Sequence, residues 1–598
     1  LSDAIRHAAE PTAADASMAL GDLMERAGDI PRAAIHYASA LPTFAAREPK
    51  DRPADWDAKQ TLAQEGVRDP GWLWPNGQLV EDAALNWDAD AIRWHSIATV
   101  DLLSADGPIQ EGRTTLYDSA NRQLLILGEF GQTECRVPLS VPNELVNVVG
   151  VGSNHARSFG DLFVFGFGSR MVAVSVLPGP EQGRRRVLWQ KDVVDASQLA
   201  SEIAGLATSY HVQQIENPFG PGTTRHVGRG SNLYAAIGPL NPRGFCCMTQ
   251  AGLECLDPLT GETLWRRRDV KPPCELFGDD EFLFVLPEDK KTAIVYSLAN
   301  GLIVRKSSKV PDSSRHWMRR GRFVLAFERK TSFFGRQSVD LTWFDAWEQK
   351  AVWRRKCASG TRGCLIGFDE LALIDATGHL TLVDLSSGSE RWSVEVPLTG
   401  AVSALEVQRS RDQYLIFANC DTNSDIQQLN RHGIQLRGPT AGGRYHRFSG
   451  PILAVERSTG KSLWPHPAQV SQYFLPSWQP NELPVIPLYR SIGRLPRRPL
   501  DPNAAPPQRA MLESDLVFLD VRTGAIRGRF DLGPAPPQGL MLQGDPKSDT
   551  LAVLTQLGVT KRFRVTDTPL ETTEPATLGP VPLDVEAHNA EDGEPDAS

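Results

Sequence analysis

At 598 residues the chain exceeds the usual length of one domain, and its 41% hydrophobic and 23% charged content is that of a folded globular protein. No run of 18 apolar residues occurs, which excludes a membrane-spanning helix within this sequence. The net charge of −9 is concentrated at one end: residues 565–598 hold nine acids and no Lys or Arg, so the remaining body is near neutral.

The chain begins Leu1-Ser2-Asp3 rather than with Met and reads as a fragment or a processed product. Residues 1–48 have a helical pattern, with small residues at Gly21, Gly28, Ala33 and Ala40 and a single large one, Tyr37. Pro31 stands where a second helix would open. The spacing resembles a tetratricopeptide repeat, although Ser17 stands where that repeat carries Trp. The resemblance implies a helical hairpin that needs neighbours to be stable. Residues 49–96 hold five Trp (56, 72, 74, 87 and 94) and are too apolar for a free linker. They are expected to pack on the rim of the strand-rich region that begins at residue 97.

From residue 97 to 566 the sequence is built of short strands. Thr114–Tyr117 and Gln123–Leu127 read as strands of a first unit, and 161–176, ending at Trp189, as a second. Then a nine-residue pattern recurs: Asp257 to Trp265 with Gly261, Asp384 to Trp392 with Gly388, and Glu456 to Trp464 with Gly460. Weaker copies run from Ser297 with Gly301, from Asp345 to Trp353, and from Asp520 with Gly524. Each reads as a strand, a tight turn at Gly, and an outer strand carrying Trp. The starts at 257, 297, 345, 384, 456 and 520 are spaced by 40, 48, 39, 72 and 64 residues. A period near 40 of four short strands predicts propeller blades, and the longer gaps are loop insertions. The count is eight blades, with seven the alternative. Thr550–Val565 is expected to supply last strands that complete the first blade and close the ring. Residues 567–598 read as an acidic disordered tail.

The Asp/Glu-x-x-Thr/Ser-Gly-x-x-x-Trp unit resembles the repeat of the PQQ-like, quinoprotein-dehydrogenase-like propellers. That family holds quinone-cofactor enzymes, outer-membrane assembly lipoproteins and other envelope proteins. The resemblance implies a mainly β fold in the bacterial periplasm or envelope, and either a protein-binding scaffold or a quinone- and calcium-dependent dehydrogenase. A carbohydrate-binding envelope module is a further alternative.

Strand alternation places the insertions. In a meander of strands A to D, the B–C turns and the D–A connections emerge on one face. The insertion 193–228 is a D–A connection, and 329–338, 421–450 and 490–510 are B–C turns, so all four share that face. The last three carry charges of +3, +2 and +4. Arg329, Lys330, Phe333, Arg336, Arg431, Arg444, Tyr445, Arg447, Arg494, Arg497 and Arg498 are the candidate contacts for a protein partner, anionic in character. No base-reading module is present, so nucleic acid is not expected.

No catalytic set can be assigned: the sequence has no His-Glu-x-x-His, Gly-x-Ser-x-Gly or Walker motif. Asp421-Thr-Asn423-Ser-Asp425 presents oxygens at alternate positions, but His432 stands where a calcium loop needs its bidentate acid. Eight Cys show no Cys-x-x-Cys. The resemblance draws attention to Cys246-Cys247, since adjacent cysteines form a ring disulfide beside the cofactor in some quinoprotein dehydrogenases. Their setting, Gly244 to Gln250, reads instead as an interior strand. No cofactor and no metal is assigned.

Overall fold

The computed structural model describes residues 10–26, 30–47, 49–67, 74–83, 97–99, 101–106, 113–118, 121–138, 155–167, 170–176, 186–192, 211–215, 218–219, 225–229, 237–271, 274–287, 292–312, 315–331, 337–410, 412–420, 434–437, 445–476, 479–494, 511–532, 540–546, 548–555 and 558–580. Among the described residues three α-helices come first: α1 (Glu10–Arg26), α2 (Ile30–Ala45) and α3 (Trp56–Val67). Gly21 is the close contact between α1 and α2, because a Cβ there would strike the Tyr37 ring. Tyr37 is fully buried, and its hydroxyl is within hydrogen-bond distance of Glu25 Oε2 (2.6 Å) and Asp22 Oδ1 (2.9 Å). Lys59 of α3 is tied to Asp22 and, at 3.0 Å, to Asp55.

The rest is a mainly β propeller. Six sheets follow in chain order and are numbered as blades: blade 1 (97–138), blade 2 (155–192), blade 3 (237–267), blade 4 (274–309), blade 5 (316–357) and blade 6 (362–395). Each holds an antiparallel four-stranded meander, which leaves its two sheet faces to be covered by its neighbours. A seventh, closing blade is built from Met541–Asp545, Thr550–Thr555 and Gly558–Val565. Its outer strand is Leu79–Glu81, from the other end of the chain, with Leu79 opposite Val565. Thr550–Val565 therefore does not complete blade 1, as the sequence suggested; the early segment comes to the late blade instead.

Seven sheets thus stand as separate blades, and the strands between blade 6 and the closing blade form a further, wider sheet. The units turning at Glu456 and Asp520 lie in one continuous nine-stranded sheet between residues 404 and 578. The reason is local. After Gly460 the outer strand shrinks to a single bridge, Val455 to Ser462, because Pro465 and Pro467 cannot donate to a ladder. Ala468–Pro476 then pairs with Tyr445–Glu456 on one side and, at Phe474–Tyr489, with Val485–Arg494 on the other. One strand serves two units.

The recurring turn explains how blades join. Asp257 Oδ1 accepts from the amides of Leu259 (2.9 Å) and Thr260 (2.8 Å), while Gly261 turns at φ +73°. These bonds, that to Thr260 above all, hold the Asp257 carboxyl below its ordinary range. Gly261 must lack a side chain, since a Cβ would lie 2.6 Å from the Trp189 ring of the preceding blade. Trp189 Nε1 in turn donates to Pro258 O at 3.0 Å. The same pair of contacts recurs at Trp265 with Leu298 O and Gly301, Trp353 with Leu385 O and Gly388, Trp392 with Arg457 O and Gly460, and Trp464 with Val521 O and Gly524. Blade 4 lacks the Trp; there Arg305 donates to Trp347 O at 2.5 Å and lies 4.1 Å from the centre of the Trp347 ring.

Candidate interaction face

Two observations show how the insertions meet. The connection between blades 2 and 3 carries a two-stranded hairpin, His211–Ile215 with Arg225–Arg229. Between those strands Pro218 and Phe219 reach the seam of blades 5 and 6, past blades 3 and 4. Phe219 is buried among Met318, Leu325, Phe327 and Leu373, edge-on to Trp317 at 5.5 Å. Gly363 leaves it room: a Cβ there would come within 2.6 Å of the Phe219 ring. Arg329 Nε, at the far end of its strand in blade 5, donates to Pro218 O at 3.4 Å. Secondly, Ile434–Arg437 pairs with the end of Val485–Arg494, Ile434 facing Arg494 and Arg437 facing Ser491. The B–C loops of two successive units in the wide sheet are thereby zipped together.

Of the candidate contacts, Phe333, Arg336, Arg431, Arg444, Arg497 and Arg498 lie outside the described residues, as does the Asp421–Asp425 segment. Arg494 and Tyr445 are placed by backbone alone, opposite Ile434 and Pro476. Arg447 stands in the same strand as Tyr445, and its carbonyl accepts from Asn419 Nδ2 at 2.8 Å. Lys330 is exposed, but its ammonium is 2.6 Å from Asp340 and 3.8 Å from Glu328. At this tip the positive charge is largely offset, which the bare count of +3 does not convey.

Sequence reasoning missed Phe219. The only local signal is an aromatic set between Pro218 and Gly220 inside a long insertion. It also missed a polar group on the inner strand Ala404–Arg409. Glu406 lies 3.4 Å from His446 Nε2 and accepts from Gln408 Nε2 at 3.0 Å. Burial pushes the Glu406 carboxyl up to about 7 and pushes His446 down. A near-neutral carboxyl beside a neutral imidazole makes no third ligand: among the described residues no three His, Cys, Asp or Glu side chains converge on a metal-sized site. Cys246 and Cys247 face opposite sides of blade 3, each fully buried, with Cys246 opposite Cys255 and Cys247 opposite Glu254. In an extended strand adjacent side chains point apart, so these two are core residues of different seams and not a ring disulfide. The inner edge of blade 2 is also covered. Asp101–Asp106 adds to it in parallel as a fifth strand.

Residues 181–472, just under half of the chain, match the family model described as "PQQ_2: Outer membrane protein assembly factor BamB". That stretch is similar to the family's propeller repeats. No curated protein matches the sequence. Among solved structures, BamB from Moraxella catarrhalis is 13% identical, over 57% of this chain and 94% of its own, with a TM-score of 0.26. The C-terminal WD40 domain of Sif2 is 8% identical, over 82% of this chain and 99% of its own, at 0.29. The quinohemoprotein alcohol dehydrogenase from Comamonas testosteroni is 9% identical, over 56% and 74%, at 0.25. TM-scores this low carry no argument about function.

Proposed function

We propose that this chain is a non-catalytic propeller scaffold of a bacterial cell envelope that binds a protein partner through the insertions on one face. The observation that carries the reading is the seating of Phe219 and Pro218. An insertion from between blades 2 and 3 is pinned to blades 5 and 6 by a buried aromatic and by Arg329. A loop fixed at that distance from its origin is a built surface, and rigid loops on a stiff ring are a usual way for propellers to bind proteins. The family description of residues 181–472 supports the envelope setting. The N-terminal helices, with their Gly21–Tyr37 contact, are read as a tetratricopeptide-type extension of the same scaffold. The test is affinity capture from an envelope extract with the wild-type chain and with Arg329→Glu/Arg447→Glu. The variant should keep its circular dichroism spectrum and lose most of the specifically captured protein. Equal capture by both would overturn the reading, and so would a stoichiometric gain of mass when quinone and calcium are added in native mass spectrometry.

A further inference from the structure

The outer strands of blades 3, 4 and 5 repeat a second pattern beside the Trp contact. In each, the anchor residue stands opposite the same position of the preceding strand: Trp265 opposite Cys255, Arg305 opposite Val295, Trp353 opposite Trp343. The residue before the anchor is an exposed aliphatic: Leu264 at 51%, Val304 at 47% and Val352 at 45%. The residue after it is an exposed cation: Arg266, Lys306 and Arg354. In each strand the aliphatic is the extra residue of a β-bulge beside the anchor, and both it and the cation are exposed. Each of these strands is the last in its sheet, so its outward backbone groups are unpaired by any other strand.

Folding accounts for only part of this. The anchor is explained by the next blade. Cations on an edge are a known guard against unwanted strand pairing. Three exposed aliphatics beside them work against that guard and bury nothing within the ring. Arg266 is tied to Glu254, whereas Lys306 and Arg354 make no ion pair among the described residues. Because Trp265 packs on Gly301 and Arg305 on Trp347, the three aliphatic–cation pairs follow one another around the rim.

We propose that the outer rim of blades 3 to 5 is a docking surface for an extended acidic segment of a partner protein. Unpaired Lys306 and Arg354 fit carboxylates, and Leu264, Val304 and Val352 fit aliphatic side chains between them. A flexible segment follows a convex rim and meets one pair per blade, whereas a flat bilayer meets a convex rim at about one blade. This surface is separate from the insertion face and shares with that reading only the premise of a protein partner.

The experiment uses the full chain and a fluorescein-labelled peptide of about twenty residues, Glu alternating with Leu and Gly, roughly 66 Å long when extended. Anisotropy should show binding that weakens with salt. Lys306→Glu/Arg354→Glu should weaken it about tenfold or more, and Val304→Ser/Val352→Ser severalfold, with unchanged circular dichroism in both. Arg329→Glu/Arg447→Glu should leave peptide binding alone, so loss of the insertion face and loss of the rim are told apart. The proposal fails if the peptide does not bind, or binds the rim variants equally. It fails too if anionic phosphatidylglycerol vesicles bind through the rim while the peptide does not. A tenfold gain in peptide affinity on removing residues 581–598 would also overturn it, by making the chain's own acidic end the occupant.

Discussion

His316 is held as one neutral tautomer. Its Nε2–H donates to Pro311 O at 2.8 Å, and its Nδ1 accepts from Arg319 Nε at 3.0 Å. Burial, and then the charge of Arg319, push its pKa down to about 3. An unfolded imidazole titrates near 6.5, so the folded state binds fewer protons between those values. The contribution of His316 is therefore fully present above pH 6.5 and is lost as pH falls toward 3, up to about 4 kcal/mol. Urea unfolding at pH 7 and pH 4 should show wild type losing more stability on acidification than His316→Gln, in which Arg319 keeps its bond to Glu275. A parallel loss in both would show that other groups govern the acid limb. None of this was legible in the sequence, since the partners of His316 are defined by a turn and by strand geometry, not by a motif.

At the scale of the element, the Gly-turn and the Trp that covers it act as one joint between two blades. Trp392 is 6% exposed, bonds to Arg457 O and covers Gly460, which turns at φ +71°. Trp392→Ala should cost about 3–5 kcal/mol. Gly460→Ala adds both a strained φ and a Cβ 2.6 Å from that ring, and should cost about 2–3 kcal/mol. Thermal or denaturant unfolding of both variants reads these losses; a loss below ~1 kcal/mol in each would mean the joint is not where the ring is held. The joint was legible because both its residues have side-chain requirements that spacing exposes. Where the repeat decays the structure substitutes: Gln349 takes φ 55° in the place of Gly, and Arg305 takes the place of Trp. The fused sheet was not legible. A strand shared between two units, as Ala468–Pro476 is, has the same alternation as a strand owned by one.

For the whole molecule the decisive contact is the one that shuts the ring. The Asp520 unit lacks its Trp, and Gly528 stands in that position with Leu79 O beside it. Arg527, 2% exposed, donates to the carbonyls of Gly77 (2.8 Å), Pro484 (3.0 Å) and Pro75, and pairs with Asp520 at 3.3 Å. Trp74 fills the adjoining cluster and donates to Glu482 O at 3.1 Å. The turn of blade 1 joins them, with Gly544 N donating to Phe130 O at 2.8 Å. Arg527→Met should leave Asp520 buried with its turn hydrogen bonds but without its counter-charge, and free the incoming segment, at a cost of about 3–5 kcal/mol. Hydrogen exchange should then rise first in 79–81 and 558–565; uniform protection would show closure to be independent of this arginine. Within the Trp-rich stretch Trp74 packs on the ring, whereas Trp56 packs among the helices. Which blade the stretch completes was not legible, because pairing across the length of the chain leaves no periodicity. The insertion face divides in the same way: strand alternation gives the side on which a loop emerges, but not that Phe219 travels to the far seam.

The closure also sets an order in time. Asp82 and Arg564, which sit 3.5 Å apart across it, are separated by 482 residues. Synthesis delivers the first of them long before the second. Until the last blade is made, the ring is an open arc with two bare sheet faces, and the outer strand of the final blade waits unpaired near its start. Assembly is thus committed by the end of the chain. A chain truncated before residue 541 should persist as an open, aggregation-prone arc and not as a smaller propeller.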